Sequence, residues 1–343
     1  MNAHDFKIFW LVTVCFLFSS FQKLNAQNKI LKAYGFRHIT LHYQGDPVDI
    51  LIKSKKGEEN IPKPLFLFCQ GSQPNPLIIR FKKNGIDKIY NVFVFNTDSL
   101  SKDYHLVIIG KPYVPLVAEQ DSLNKQLAFV DNKGLPPEPY KRRNYQDYYV
   151  NRNIAILRSL RKSPWVTKNK LVVAGHSEGA AIASKIAYKY SRVTELIYAS
   201  GSPLGRMASI VAQARKEETN SSPLAEEEFK SWTQINADPN NLIAEGDSNK
   251  DTYQSSSPAP ITWITRLKIP TLIVNGTKDV NGLFANDYLR LEAIRLRKPN
   301  LTFKSYIGLE HNFFTVKPSG EIDYDQFGWD KVATDWYSWL KKN

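Results

Sequence analysis

Residues 172–183 read VVAGHSEGAAIA, which places a serine between two glycines directly after a short apolar run. In a G-x-S-x-G motif that follows a strand and opens a helix, the serine lies on a sharp, strained turn with its hydroxyl lifted clear of the sheet. Gly175 and Gly179 then leave room for the strand and the helix to approach each other closely. The pattern predicts that Ser177 is a nucleophile; a tight turn with an incidental serine is the alternative interpretation.

A nucleophilic serine needs a base, and histidine most often serves as one. Of the six histidines, four lie in the N-terminal segment or in predicted strands away from the serine: His4, His38, His42 and His105. His176 is adjacent to the serine, but neighbouring residues on a turn point in different directions, so we interpret it as a packing residue. His311, in the loop sequence GLEHNFF, is therefore the predicted base, with an ordinary surface-loop histidine as the alternative.

The base needs a carboxylate to orient it, and Asp279 follows the apolar run TLIVNG at the end of a predicted parallel strand. Functional groups of open α/β sheets collect at this edge. Asp279 lies between Ser177 and His311 in the chain, which gives the order serine, aspartate, histidine. A turn aspartate is the alternative interpretation, and Asp287 and Glu310 are the substitutes for the orienting role.

Acyl transfer at a serine also needs donors for the developing oxyanion. The first long apolar run ends in CQGS, where a backbone N–H can face the nucleophile. We nominate the backbone N–H groups of Ser72 and Glu178, so Glu178 is expected to act through its backbone and not through its carboxylate. Cys69 is a weak rival nucleophile, because a cysteine that ends an apolar strand is usually a core residue.

Short apolar runs that end in glycine or polar residues recur at residues 65–72, 106–112, 171–177, 195–202 and 271–279. Their continuous apolarity favours strands buried on both faces, as in a parallel sheet. Apolar residues at helical spacing lie between several of these runs. Residues 36–43 alternate in polarity and residues 48–54 follow after a Gly-Asp-Pro turn, which predicts an antiparallel hairpin. The sequence thus predicts an α/β fold with a mostly parallel central sheet, helices on both faces and an N-terminal antiparallel hairpin.

About 70 residues separate the fourth apolar run from the fifth. Residues 224–235 (LAEEEFKSWTQI) have a helical pattern, whereas residues 247–257 (DSNKDTYQSSS) are predicted to be loose and polar. A segment this long inside a compact domain is usually functional or forms a subdomain. We therefore predict a lid insertion at residues 204–262, within one catalytic domain that spans residues 27–343.

The N-terminus has the pattern of an export signal. Lys7 precedes a mostly apolar run at residues 8–21, which is short for a membrane span, and a polar stretch follows as far as Ala26. This arrangement predicts a signal peptide at residues 1–26, cleaved after Ala26, and hence a secreted or periplasmic protein without a stable membrane span. An uncleaved membrane anchor is the alternative.

The formal net charge is +13, but the basic residues come in small scattered groups without a nucleic-acid-binding motif. We interpret the charge as a solvated basic surface, and no nucleic-acid partner is expected. After signal cleavage Cys69 is the only cysteine, so an intrachain disulfide cannot form.

The chain resembles the α/β-hydrolase-fold serine hydrolases of the esterase, lipase and acyl-aminopeptidase kind. The resemblance rests on GHSEG at residues 175–179, on the Asp279 loop and on His311 before the terminal helix, and it covers nearly all of the chain after residue 26. Many members have His-Gly where this chain has Gln70-Gly71, a departure that keeps the backbone donor but changes its surroundings.

The resemblance implies a two-step acyl transfer at an ester, thioester or amide carbonyl, with neither a metal nor an organic cofactor. Our leading hypothesis is a secreted or periplasmic hydrolase that cleaves a carboxylic ester in a small acyl substrate. A serine peptidase that acts on short peptides is the second hypothesis. A non-catalytic binding protein that keeps the fold is the third.

Overall fold

The computed structural model describes residues 31–91, 93–243 and 247–343. The predicted signal peptide, residues 1–26, lies outside them. The strands of this part of the chain are β1 Phe36–Tyr43, β2 Asp46–Lys53, β3 Lys63–Cys69, β4 Ile78–Lys83, β5 Ile86–Asn91, β6 His105–Ile109, β7 Val117–Glu119, β8 Val166–His176, β9 Glu195–Ala199, β10 Thr271–Gly276, β11 Leu301–Tyr306, β12 Phe314–Val316 and β13 Ile322–Phe327.

The helices are α1 Asp98–Asp103, α2 Glu138–Lys141, α3 Gln146–Leu160, α4 Glu178–Lys189, α5 Arg206–Glu217, α6 Leu224–Ala237, α7 Asn249–Gln254, α8 Ile261–Ile264, α9 Leu283–Arg295 and α10 Trp329–Leu340, with a short 3₁₀ helix at Gln120–Ser122. Within the described ranges, none of these helices is long and apolar enough to cross a bilayer.

The central sheet has the strand order β1-β2-β6-β3-β8-β9-β10-β11. Strand β1 pairs antiparallel with β2, and β2 pairs antiparallel with β6. Every later neighbour in this order is parallel. The predicted mostly parallel sheet with an N-terminal hairpin is therefore confirmed, and the five apolar runs form β3, β6, β8, β9 and β10.

Alternate side chains of each central strand are buried on opposite faces of the sheet. On β3, Phe66 and Phe68 belong to a cluster that contains Trp336 of α10. Leu65 and Leu67 belong to the cluster on the other face, together with residues of α3 and α4. Helices thus cover both faces as predicted, and the strands that carry the site are anchored from both sides.

Two parts of the structure differ from the sequence-based expectation. The prediction of a loose segment at residues 247–257 is wrong for Asn249–Gln254, which forms α7, because the Ser248 side chain accepts a hydrogen bond from the backbone N–H of Asp251 and caps that helix. A small sheet of order β5-β4-β7 also forms, from strands on either side of β6 in the chain, where no strands were predicted.

The segment at residues 204–262, which we predict to be a lid, carries α5, α6, α7 and the start of α8. Residues 244–246 within it lie outside the described ranges. Helix α5 buries only Met207 and Ala214, and α6 buries only Ala225 and Ile235. This segment is therefore held to the rest of the domain by few apolar contacts.

Candidate active site

The turn between β8 and α4 carries Ser177. Its backbone has φ +58° and ψ −127°, a strained conformation for a residue with a side chain. A Cβ on Gly175 would lie 2.0 Å from the Gly179 carbonyl oxygen, and one on Gly179 would lie 2.0 Å from the Cys69 carbonyl oxygen. Only glycine fits either position, and the close packing of β3, β8 and α4 holds the serine on its strained corner.

The structure brings Ser177, His311 and Asp279 together in one hydrogen-bonded chain. The Ser177 Oγ lies 3.0 Å from the His311 Nε2, and the His311 Nδ1 lies 3.0 Å from the Asp279 Oδ2. A carboxylate can only accept here, so the Nδ1–H of His311 donates to it and the Nε2 is left to accept from the serine hydroxyl. This is the tautomer in which a histidine can take the proton of a serine.

Backbone contacts tie the Asp279 turn to the His311 loop. The Lys278 N–H donates to the Leu309 carbonyl oxygen at 2.8 Å, and the Gly308 N–H donates to the Thr277 Oγ1 at 2.9 Å. A Cβ on Gly276 would lie 2.2 Å from the Leu309 carbonyl oxygen, so the end of β10 and the His311 loop touch through their backbones. The geometry of the carboxylate and the imidazole is thus set by the sheet edge itself.

The two substitute carboxylates take other places. Asp287 is exposed on α9. Glu310 is buried, and its carboxylate accepts hydrogen bonds from the backbone N–H groups of Asn312 and Phe314, which fold the loop around His311. Of the three carboxylates, Asp279 is the one that contacts the imidazole.

Burial lowers the pKa of His311, but the hydrogen bond and charge of Asp279, with the charge of Glu310, outweigh it and hold this pKa above the ordinary value. The Asp279 side chain is fully buried against the ring. A positive charge on the imidazole is therefore stabilised in the folded protein, which suits a group that must gain a proton during a reaction.

His176 packs as the sequence suggests, and it also makes a contact that the sequence does not reveal. Its ring lies edge-on to Trp329 and 4.9 Å from the His311 ring, measured between centroids. Burial, together with the charge of His311, lowers the pKa of His176 to about 3. The neutral ring donates from its Nε2 to the His311 carbonyl oxygen at 2.8 Å, so it fastens the backbone of the predicted base.

The nominated oxyanion donors lie on two elements next to the serine. Glu178 is the first residue of α4, whose free N–H groups begin there. Gly71 comes so close that a Cβ on it would lie 3.6 Å from the Ser177 Cβ. Gln70 donates from its side chain to the Ile109 carbonyl oxygen at 2.9 Å, and the Ser72 carbonyl oxygen accepts from the Tyr140 hydroxyl. These bonds hold the CQGS loop beside the serine.

The Glu178 carboxylate also has a contact of its own, which the sequence did not indicate. It forms a buried ion pair with Lys111 at 2.9 Å. Asp251 of α7 is also buried, and burial, with the charge of Glu178, raises its pKa well above the ordinary value. The segment at residues 204–262 thus meets the site through charged and polar groups.

The surroundings of Cys69, the rival nucleophile, make its thiol unreactive. Cys69 is buried, and this burial raises the pKa of its thiol to about 12. The described residues contain no group of three or more His, Cys, Asp or Glu side chains that could hold a metal ion.

Solved structures with a similar fold include the acylaminoacyl peptidase of Pyrococcus horikoshii (TM-score 0.52, 12% identity, 80% of this chain and 37% of that one) and dipeptidyl peptidase 4 of Porphyromonas gingivalis (0.53, 13%, 90% and 35%). Est1E from Butyrivibrio proteoclasticus is similar over almost its whole length (0.52, 13%, 89% and 98%). This chain has the α/β-hydrolase fold. It spans about a third of the length of the two peptidases, and at such identities the likeness establishes the fold and not the activity.

A family profile described as the C-terminal domain of BAAT and acyl-CoA thioester hydrolases matches residues 149–301. The matched region contains Ser177 and Asp279 and ends before His311. No curated protein sequence matches the chain significantly.

Two neighbouring cavities open at the sheet edge of this α/β-hydrolase fold. The first, of about 120 Å³, is lined by Ser177 and His311 together with polar residues that sequence reasoning missed: Ser200, Ser202, Arg206, Ser209, Ser255 and Asn281. The second, of about 280 Å³, is lined by Ser72 and Tyr140 among others, and it shares Arg206 with the first. Ser200 and Ser202 follow β9, so polar residues at the C-terminal end of a predicted strand were the signal that could have found them.

Proposed function

We propose that this protein is a serine hydrolase that cleaves a carboxylic ester or thioester through an acyl-enzyme intermediate. The observation that carries the proposal is the chain of two 3.0 Å contacts from Ser177 through His311 to Asp279, with the serine on a strained turn between strand and helix. The G-x-S-x-G motif alone would leave an incidental serine open as an explanation; a serine with a correctly oriented imidazole and a buried carboxylate has the parts that nucleophilic catalysis needs.

In the acylation step, the Ser177 Oγ attacks the carbonyl carbon while its proton passes to the His311 Nε2. Asp279 holds the ring in position and stabilises the imidazolium. The backbone N–H groups of Glu178 and Ser72 bind the oxyanion. One such donor typically stabilises the transition state by about 3–4 kcal/mol. The C–O or C–S bond then breaks, and His311 returns the proton to the leaving group.

In the deacylation step, His311 takes a proton from a water molecule, and the resulting hydroxide attacks the acyl-serine carbonyl. Collapse of the second tetrahedral intermediate releases the carboxylic acid and restores the Ser177 hydroxyl with the proton from His311. Atoms and charges balance without a metal or an organic cofactor.

The comparisons offer support for two candidate bond types. The match to a domain of acyl-CoA thioester hydrolases over residues 149–301 favours a thioester or the related carboxylic ester as the bond that is cleaved. A peptidase that acts on short peptides is the second candidate, because two of the similar folds belong to an acylaminoacyl peptidase and to dipeptidyl peptidase 4. Both candidates use the same three side chains, and they differ in the leaving group that His311 must protonate.

We also propose that residues 204–262 form a lid over the site and that residues 1–26 direct export. Helix α5 supports the first proposal, since it brings Arg206 to both cavities. The apolar N-terminal run supports the second. If export occurs, N-terminal sequencing of the protein recovered from the periplasm or medium will begin at Gln27, whereas a product that still begins at Met1 would contradict it.

The activity is tested with a panel of short acyl esters, the matching acyl thioesters and aminoacyl amides, assayed with the purified protein and with Ser177→Ala. We expect turnover of esters or thioesters that the variant loses. Turnover of amides alone would favour the peptidase. Turnover that survives in Ser177→Ala, or its absence from the whole panel, would overturn the proposed function.

A further inference from the structure

The cavity beside Ser177 is unusual in its chemistry. Small-molecule sites are mostly lined by apolar side chains with a few polar groups. Here Ala181 is the only lining residue with an aliphatic side chain, and apart from Gly282 the other lining residues carry hydroxyl, guanidinium, amide, carboxylate or imidazole groups. The apolar surface of this cavity therefore comes mostly from carbon atoms of polar residues, which lie next to groups that can form hydrogen bonds.

Several of these polar groups are left without partners. The Ser200 Oγ, the Ser202 Oγ and the Arg206 Nε are buried and have no hydrogen-bond partner among the described residues. Buried polar atoms in folded proteins nearly always find a partner, so an unpaired cluster at a cavity wall indicates that the partner comes from outside the chain. Both serines line the cavity, and a hydroxyl can donate or accept a hydrogen bond there.

The charges around the cavity pair with one another. Arg206 contacts the carboxylate of Asp247 through its Nη2, and Glu178 pairs with Lys111. Asp251, which faces the same charges, has a raised pKa, because burial and the charge of Glu178 favour its neutral form. The paired charges leave no excess of one sign to select an ion, whereas the free hydroxyls and the free Nε–H suit a neutral group that both donates and accepts hydrogen bonds.

From these observations, and building on the proposed function, we infer that the substrate group held beside Ser177 is a compact, hydroxyl-bearing group and not an alkyl chain. Ser200 and Ser202 bind its hydroxyls from the strand edge, and Arg206 binds them from the segment at residues 204–262. Because Arg206 lines both cavities, it also separates the part of the substrate beside Ser177 from the part beside Ser72. A buried hydroxyl left unpaired by an alkyl group lowers kcat/KM by about tenfold.

The test uses ester pairs of equal size that differ by a hydroxyl in place of a methyl. One pair carries it on the acyl side (3-hydroxypropionyl and butyryl esters), and the other carries it on the alcohol side (2-hydroxyethyl and propyl esters). An anionic hemisuccinate ester is included. We expect kcat/KM for the hydroxylated member of at least one pair to exceed that of its partner by about tenfold.

Each ester also has an intrinsic reactivity that does not depend on recognition by the protein. This reactivity cancels when the kcat/KM ratio within a pair is compared between the wild-type protein and a variant. Ser202→Ala and Arg206→Gln are expected to reduce the ratio at least about threefold. Matched controls are Ser221→Ala, an exposed serine, and Arg215→Gln, an exposed arginine also on α5; both should keep the wild-type ratio.

Equal or better turnover of the alkyl members would overturn this inference while leaving the serine hydrolase intact. A clear preference for the hemisuccinate would also overturn it and would make Arg206 an anion site. If none of the esters is hydrolysed and Ser177 is unreactive towards a fluorophosphonate, the proposed function itself fails, and this inference falls with it.

Discussion

The strand edge that carries Ser177 and the segment at residues 204–262 are built in opposite ways. At the strand edge, backbone atoms touch through Gly175, Gly179 and Gly276, and the last six residues of β8 are buried. In the segment, α5 and α6 each bury two side chains, and the groups that reach the site are charged or polar. The strand edge therefore fixes the reacting atoms, whereas the segment can change its side chains at little cost in stability.

The two regions therefore have different roles at the site. The contacts from Ser177 to Asp279 arise from strands that the core holds in place, so their geometry is a property of the fold. Arg206 and Asp251 come from the helical segment, and we assign to that segment the recognition of substrate. Changes at the strand edge should therefore abolish activity or folding, and changes in the segment should alter selectivity.

The largest effect is expected for Asp279→Asn at the strand edge. The amide carries no negative charge, and its NH2 group can donate to the His311 Nδ1, which favours the tautomer protonated at Nε2, so kcat should fall by about 10⁴-fold while the protein stays folded. Steady-state kinetics and circular dichroism check both parts. Asp287→Asn, an exposed carboxylate on α9, is the matched control and should keep wild-type activity.

Gly179→Ala tests whether the strand edge tolerates any added atom. The new methyl would meet the Cys69 carbonyl oxygen at 2.0 Å, so the free energy of unfolding should drop by about 3 kcal/mol or more. Urea denaturation measures it. In Gly71→Ala the methyl meets its neighbours at ordinary distances, so stability should be nearly unchanged; equal losses in the two variants would argue against the close packing.

The pH profile probes the imidazole at the strand edge. His311 acts as a base only when neutral, and Asp279 and Glu310 outweigh burial to raise its pKa, so activity should be full at high pH and fall as the pH drops through a value above the ordinary 6.5 or so. At pH 5, kcat/KM should be at least about 30-fold below its plateau. A profile that stays flat from pH 8 to 5 would remove His311 from the role of base.

His176→Phe separates packing from hydrogen bonding behind the base. The ring contacts with Trp329 are kept, but the His311 carbonyl oxygen loses its donor, so kcat should fall by about tenfold with little change in KM. His42→Phe, at an exposed position of β1, is the control. A rise in KM with unchanged kcat would place His176 in substrate binding and not behind the base.

The smallest effect belongs to the segment. Phe229 is 46% exposed on α6, and its replacement by alanine should change the free energy of unfolding by less than about 0.5 kcal/mol. Leu196→Ala, in the fully buried β9, should cost about 3 kcal/mol. A large loss at Phe229 would show that the segment is part of the core and would erase the contrast between the two regions.

The same contrast explains what could be predicted from the sequence. Continuous apolar runs mark the buried parallel strands, and Gly175, Gly179 and the chain order of Ser177, Asp279 and His311 point to the strand edge. The structure places these three side chains in contact; their catalytic roles remain predictions. Strands packed on both sides leave a clear signal in the sequence, a continuous apolar run, because both their faces are apolar.

The polar helices of the segment are harder to predict from the sequence than the buried strands. Asn249–Gln254 reads as loop because it lacks an apolar stripe, and its Ser248 cap is a single local contact. Arg206 and Lys111 are ordinary basic residues in the sequence, and only the fold reveals that one lines two cavities and that the other pairs with Glu178. Their partners are distant in the chain, so spacing cannot disclose them.

We propose that Ser177 is a nucleophile activated by His311. Reaction of the purified protein with a fluorophosphonate, followed by mass spectrometry of the peptides, tests this role. We predict one adduct, on Ser177, which is absent in Ser177→Ala and strongly slowed in His311→Ala. An adduct on another residue, or labelling that Ser177→Ala leaves unchanged, would contradict the account.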